Sequence, residues 1–152
     1  MRILLGHADV NPNPVCDFGH TPLFRASAEG HEGVVGILLS RADVNPNLAN
    51  KYKLTPLNGA SWHGREGVVR ILLSRADVNP NLADDDGQTP LFHAAGSGRE
   101  GVVRILLSRP DVNPNLTDER GQTPLSIAAE QGHEEVVRIL RSHTNANPGL
   151  GH

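Results

Sequence analysis

The sequence predicts an all-α solenoid of stacked helix–turn–helix units, and three observations carry that expectation. Thr-Pro-Leu occurs at Thr21, Thr55, Thr89 and Thr123, each 34 residues after the last. Asp-Val-Asn-Pro-Asn keeps the same step from Asp9 through Asp43 and Asp77 to Asp111. Residues 64–83 and 98–117 agree at 18 of 20 positions, differing only at Ala76/Pro110 and Ala83/Thr117. A fixed internal period of this kind is the mark of a repeat architecture. It divides the chain into a partial N-terminal unit at 1–15, three units at 16–49, 50–83 and 84–117, and a C-terminal capping unit at 118–152.

Each unit reads as helix, turn, helix and long loop. The threonine is an N-cap whose hydroxyl accepts from a free backbone N–H, and the following proline suits the first helical position. The first helix is short and carries Ala26, Ala60, Ala94 or Ala128, small enough for a neighbouring helix to approach. Gly30, Gly64, Gly98 and Gly132 stand where that helix ends in a left-handed turn. The second helix brings the apolar block, Val34-Val35 with Ile37-Leu38-Leu39 and its equivalents. Asn-Pro in the next loop prevents continuation, because a residue before proline avoids helical geometry. Helices this brief are marginal alone in water, so each unit must bury its apolar face on the next. Function is then expected on the surface, and the connections as β-turn or hairpin loops.

Composition agrees. Hydrophobic residues make up 38% but aromatics only 3%, which favours close-set small helices over one large interior. A formal charge of −3 is mild and of the wrong sign for general nucleic-acid binding. Cys16 is the only cysteine, which excludes an internal disulfide or a multi-cysteine metal site and points to a reducing, intracellular setting. The opening Met1-Arg2-Ile3-Leu4-Leu5-Gly6 lacks a secretory apolar run, and no stretch approaches the roughly 18 apolar residues of a membrane span.

Gly19-His20-Thr21-Pro22-Leu23, Gly30-His31-Glu32 and Ala42-Asp43-Val44-Asn45 resemble the ankyrin repeat, and the likeness covers almost the whole chain. The period exceeds the family's about 33 residues by one, placed in the Asp-Val-Asn-Pro-Asn-Leu loop. This variant is similar to arrays in many fungal multidomain proteins. Phe24, Asn58, Phe92 and Ser126 replace the family's histidine, a departure that bears on the usual side-chain tie between repeats at that level and not on the fold. Ile3-Leu4-Leu5 aligns with Ile37-Leu38-Leu39, so the chain is expected to begin inside a preceding second helix, cut from a longer protein. Arg141 replaces Leu39, Leu73 and Leu107, as a solvent-facing terminal cap would.

The resemblance implies that partners contact the concave groove and the turn tips. Those are the places where the repeats differ. The turns read Cys16-Asp17-Phe18-Gly19-His20, Asn50-Lys51-Tyr52-Lys53-Leu54, Asp84-Asp85-Asp86-Gly87-Gln88 and Asp118-Glu119-Arg120-Gly121-Gln122. The first helices end in Ala28-Glu29, Trp62-His63, Gly96-Ser97 and Glu130-Gln131. The only Trp, the only Tyr and the only two lysines, Lys51 and Lys53, fall within twelve residues of the second unit. Trp and Tyr are enriched at interface hot spots. Phe18, Tyr52, Leu54, Trp62 and His63 form the expected contact centre, with His20, Lys51, Asp85, Asp86, Gln88, Glu119 and Arg120 completing the surface. Lys53 stands where the other turns have glycine, so a strained or differently shaped second turn is expected.

The expected partner is a protein with adjacent apolar and basic patches. Binding through an exposed fragment at 1–5 would make the chain a weak dimer; otherwise it is a monomer. Glu66–Arg70, Glu100–Arg104 and Glu134–Arg138 stand in the favourable i,i+4 order. They predict a self-neutralised arginine ridge rather than a phosphate-tracking ladder, and stacking aromatics for single strands occur in one unit only. The eight histidines show no zinc spacing, and no phosphate loop or Gly-x-Ser-x-Gly occurs. Neither catalysis nor a cofactor or metal is expected. The alternative to a recognition module is a passive spacer, or a sensor array within a larger signalling or immune-type receptor.

Overall fold

The computed structural model describes residues 16–146, with side chains to residue 144. The expectations for residues 1–15, including the cut helix and the dimer contact, lie outside the described residues. Eight helices alternate between two layers among the described residues. They are α1 (Pro22–Glu29), α2 (Glu32–Leu39), α3 (Pro56–Trp62), α4 (Glu66–Leu73), α5 (Pro90–Gly96), α6 (Glu100–Leu107), α7 (Pro124–Glu130) and α8 (Glu134–Ala146). The first helices α1, α3, α5 and α7 pack in one row, and α2, α4, α6 and α8 in a second. Each pair also packs within its own unit. This is the stacked solenoid the period predicts.

Local chemistry starts and stops the helices as expected. Thr21, Thr55, Thr89 and Thr123 cap the first helices through their hydroxyls, each followed by proline at the first position. Gly30, Gly64, Gly98 and Gly132 take φ between +70° and +81°, which turns the chain into the second helix. Ser40, Ser74 and Ser108 end the second helices, each hydroxyl donating to the carbonyl three residues back. Ala60, Ala94, Ala128, Val35, Val68, Val102 and Leu38, Leu72, Leu106 are fully enclosed between the layers. The core is therefore a ribbon running along the stack. Leu39, Leu73 and Leu107 pack against it, whereas Arg141 at the equivalent position faces solvent.

Hydrogen bonds of several kinds join consecutive units, among them those from the Arg75 and Arg109 guanidinium groups to the Leu39 and Leu73 carbonyls. Arg65 and Arg99 donate to the Ala28 and Trp62 carbonyls, and His133 to that of Gly96. In the loops, Asn47 and Asn81 donate to the Asp77 and Asp111 carbonyls and accept from the Asn79 and Asn113 amides. The turn tips are joined by main-chain bonds from Lys51 to Phe18, Asp85 to Tyr52 and Glu119 to Asp86.

Two expectations are corrected. The i,i+4 pairs Glu66–Arg70, Glu100–Arg104 and Glu134–Arg138 do not form among the described residues. The Glu32 and Glu66 carboxylates instead lie over Gly67 and Gly101, in the first turn of the next unit's second helix. A helix N-terminus favours negative charge there. Arg104 and Arg138 both pair with Glu135. Arg41, Arg75 and Arg109 are neutralised by Asp43, Asp77 and Asp111 at 2.7 Å. The second turn, moreover, keeps the common shape. Lys53 takes φ +61°, close to the +76° to +80° of Gly19, Gly87 and Gly121. At the family's histidine position, Asn58 Nδ2 donates to the Leu82 carbonyl of its own unit at 3.3 Å.

Candidate functional site

Each turn tip is built on its first residue. Asn50 Oδ1 accepts from the Tyr52 and Leu54 amides, and Asp84 and Asp118 do the same two and four residues on. This Asx geometry is what short polar side chains supply in turns. The Cys16 thiol sits at the same place, its pKa lowered chiefly by backbone hydrogen bonding at Phe18 and then at His20. With the tips laddered together, Phe18, Tyr52, Asp86 and Arg120 occupy equivalent third positions along one edge of the stack.

The ends of the first helices face these tips. Between the second and third units lies a groove of about 590 Å³. It gathers eight of the predicted residues: His20, Tyr52, Leu54, Trp62, His63, Asp85, Asp86 and Gln88. Phe18 lines an adjoining hollow of about 560 Å³ together with His20 and His63. Lys51, Glu119 and Arg120 are exposed on the tips and line neither. Phe18, Tyr52 and Trp62 remain 56%, 53% and 46% exposed, the large apolar side chains left uncovered among the described residues.

The groove floor holds residues that sequence reasoning missed. Trp62 stacks on His93, centroids 5.1 Å apart and planes 15° apart. His93 Nε2–H donates to Asp84 Oδ2 at 2.8 Å, with both side chains nearly enclosed. Burial acts to raise the Asp84 pKa, but the hydrogen bond from His93 and those from the Gln88 and Asp86 amides outweigh it, so the carboxyl stays below its ordinary value. Toward the first unit, His20 stacks on Phe24 at 4.6 Å, and His63 Nδ1–H donates to the Gly59 carbonyl. A signal for His93 existed. Its position reads Arg25, Gly59, His93 and Ile127 across the units, as variable as the turn itself.

This arrangement offers stacking faces, carboxylates and a shallow hollow. Among the described residues no group of His, Cys, Asp or Glu is placed to hold a metal ion, and no helix is long and apolar enough to cross a membrane. No individual curated protein matches the chain. The sequence model of a family described as ankyrin repeats (3 copies) matches residues 1–84 and 76–150. Such repeats generally act as protein–protein interaction modules, their fold typically serving recognition rather than catalysis. The 34-residue period, the paired helix layers and this match over nearly all of the sequence together place the chain in the ankyrin-repeat family.

Proposed function

We propose that the chain is a protein-recognition module whose partner seats in the groove between the second and third units and on the tips beside it. The observation that carries this reading is that Tyr52 and Trp62, the only Tyr and Trp in the chain, line the same groove and are about half exposed. Exposed aromatic patches mark contact sites, because large rigid rings remove much area from water at small entropic cost. Phe18, His20, Leu54, His63 and Gln88 extend the surface, while Lys51, Asp85, Asp86, Glu119 and Arg120 bring charge that sets orientation and association rate.

The test is Tyr52→Ala with Trp62→Ala. Neither side chain is enclosed in the helix layers, so helicity and melting should change little. Affinity for a partner captured from extract of the source cells should fall by about 2 kcal/mol or more, roughly 30-fold in Kd. Unchanged capture by the double variant would remove this surface from consideration. Recovery of no specific protein, together with tolerance of an unrelated ankyrin array in its place, would favour a spacer.

A further inference from the structure

We infer that the groove's occupant is an extended basic segment of a protein, carrying an arginine or lysine that lies along Trp62 and reaches Asp85 and Asp86. This rests on the groove reading above and adds the chemistry of the ligand.

The first observation is charge. Asp84, Asp85 and Asp86 line the groove, and no lysine or arginine does. Asp84 is taken up by His93, whereas the Asp85 and Asp86 carboxylates make no ion pair among the described residues. They are exposed beside the half-exposed Trp62, whose contact with His93 orients the ring within the groove. A cation between an aromatic face and carboxylates gains from both, and a planar guanidinium fits this pair better than an ammonium.

The second observation is a surplus donor in the groove wall. Asn50 is 8% exposed, and its Nδ2 has no hydrogen-bond partner. The amide cannot be turned over, because Oδ1 accepts from both the Tyr52 and Leu54 N–H groups. The turn itself does not require the donor, since aspartate does the same work at Asp84 and Asp118. A buried donor without an acceptor is costly. The donor is covered in the free chain, so a main-chain carbonyl of an extended segment beside Asn50 becomes its acceptor only as the Tyr52 tip shifts on binding. The exposed Lys51 and Lys53 flank Tyr52 on the adjacent tip of the second unit, so the segment lies with its positive side toward the third unit and its apolar side toward Phe18.

The experiment is selection from a random linear peptide library displayed on phage against the intact chain, followed by titration of the recovered peptides. The expected result is enrichment in arginine and lysine beside apolar residues. Binding should weaken about tenfold or more in Asp85→Asn/Asp86→Asn and fall with added salt. It should also be lost in Tyr52→Ala/Trp62→Ala. Neutral or acidic peptides, or basic ones that bind the Asp85→Asn/Asp86→Asn variant equally well, would overturn the basic-segment assignment. If those peptides still needed Tyr52 and Trp62, the groove reading would survive. Peptides that bind all variants alike would overturn both. A selection that enriches nothing would overturn the extended-segment assignment, leaving the groove reading to its own test with captured partners.

Discussion

Lys53 holds a left-handed backbone at φ +61° in a turn that three other units close with glycine. For a residue with a Cβ that conformation costs about 1–2 kcal/mol. Lys53→Gly relieves the cost but frees the unfolded chain, which returns roughly 0.4–1 kcal/mol. A net stabilisation of roughly 0.5–1 kcal/mol is expected in urea unfolding, without change in the turn. Asp84 provides a second test. Its folded pKa lies below the ordinary 3.8, so its stabilising contribution is present above that value and disappears as pH falls through the depressed one. Asp84→Asn keeps the turn oxygen, as Asn50 does, and should flatten the loss of stability as pH falls below the ordinary 3.8. The strain at Lys53 was legible in the sequence because glycine fills the equivalent place elsewhere. The His93–Asp84 pair was not, since Asp84 is also an ordinary turn residue and its partner lies nine positions away on a helix. Only the inward-facing geometry reveals the bond.

Helix boundaries were readable at nearly every step, because threonine, proline, glycine and Asn-Pro act on their own backbone or its nearest neighbours. Contacts between elements were less so. The Glu66–Arg70 pair was expected from spacing alone, yet Glu66 turns to the next unit, where Gly101 leaves room and a helix N-terminus attracts it. The asparagine ladder went unread for a similar reason. Asn47 and Asn81 look like local turn formers, but each side chain bridges two loops. Asn81→Ala removes two such bonds at once and should cost about 1–2 kcal/mol. Faster hydrogen exchange at the Asn113 amide is the local measurement. An unchanged rate there would show that the ladder contributes no protection.

The whole molecule is a sum of like units and like joints. Deleting residues 84–117 removes one full period and joins Ala83 to Asp118. In the shortened chain His133 takes the place of Arg99 and is expected to donate to the Trp62 carbonyl in its stead. The shortened chain should keep its helicity per residue and unfold in one transition at a lower temperature, since stability follows the number of units and interfaces. Circular dichroism melts measure this, and a molten or unfolded product would mean that the third unit is more than an addend. Its groove should also be impaired, because Trp62 would lose His93. The architecture was legible because the period is. The groove's exact membership depended on which variable side chains the tips and helix ends bring together. Among the described residues the hydrogen bonds that join units reach 30 to 37 residues along the chain, to the adjacent unit. Pulled from its two ends, such a chain carries the same tension at every joint, as links in series do. It should extend elastically over small loads and then yield unit by unit, the weakest link first, each recoiling onto a neighbour that never let go.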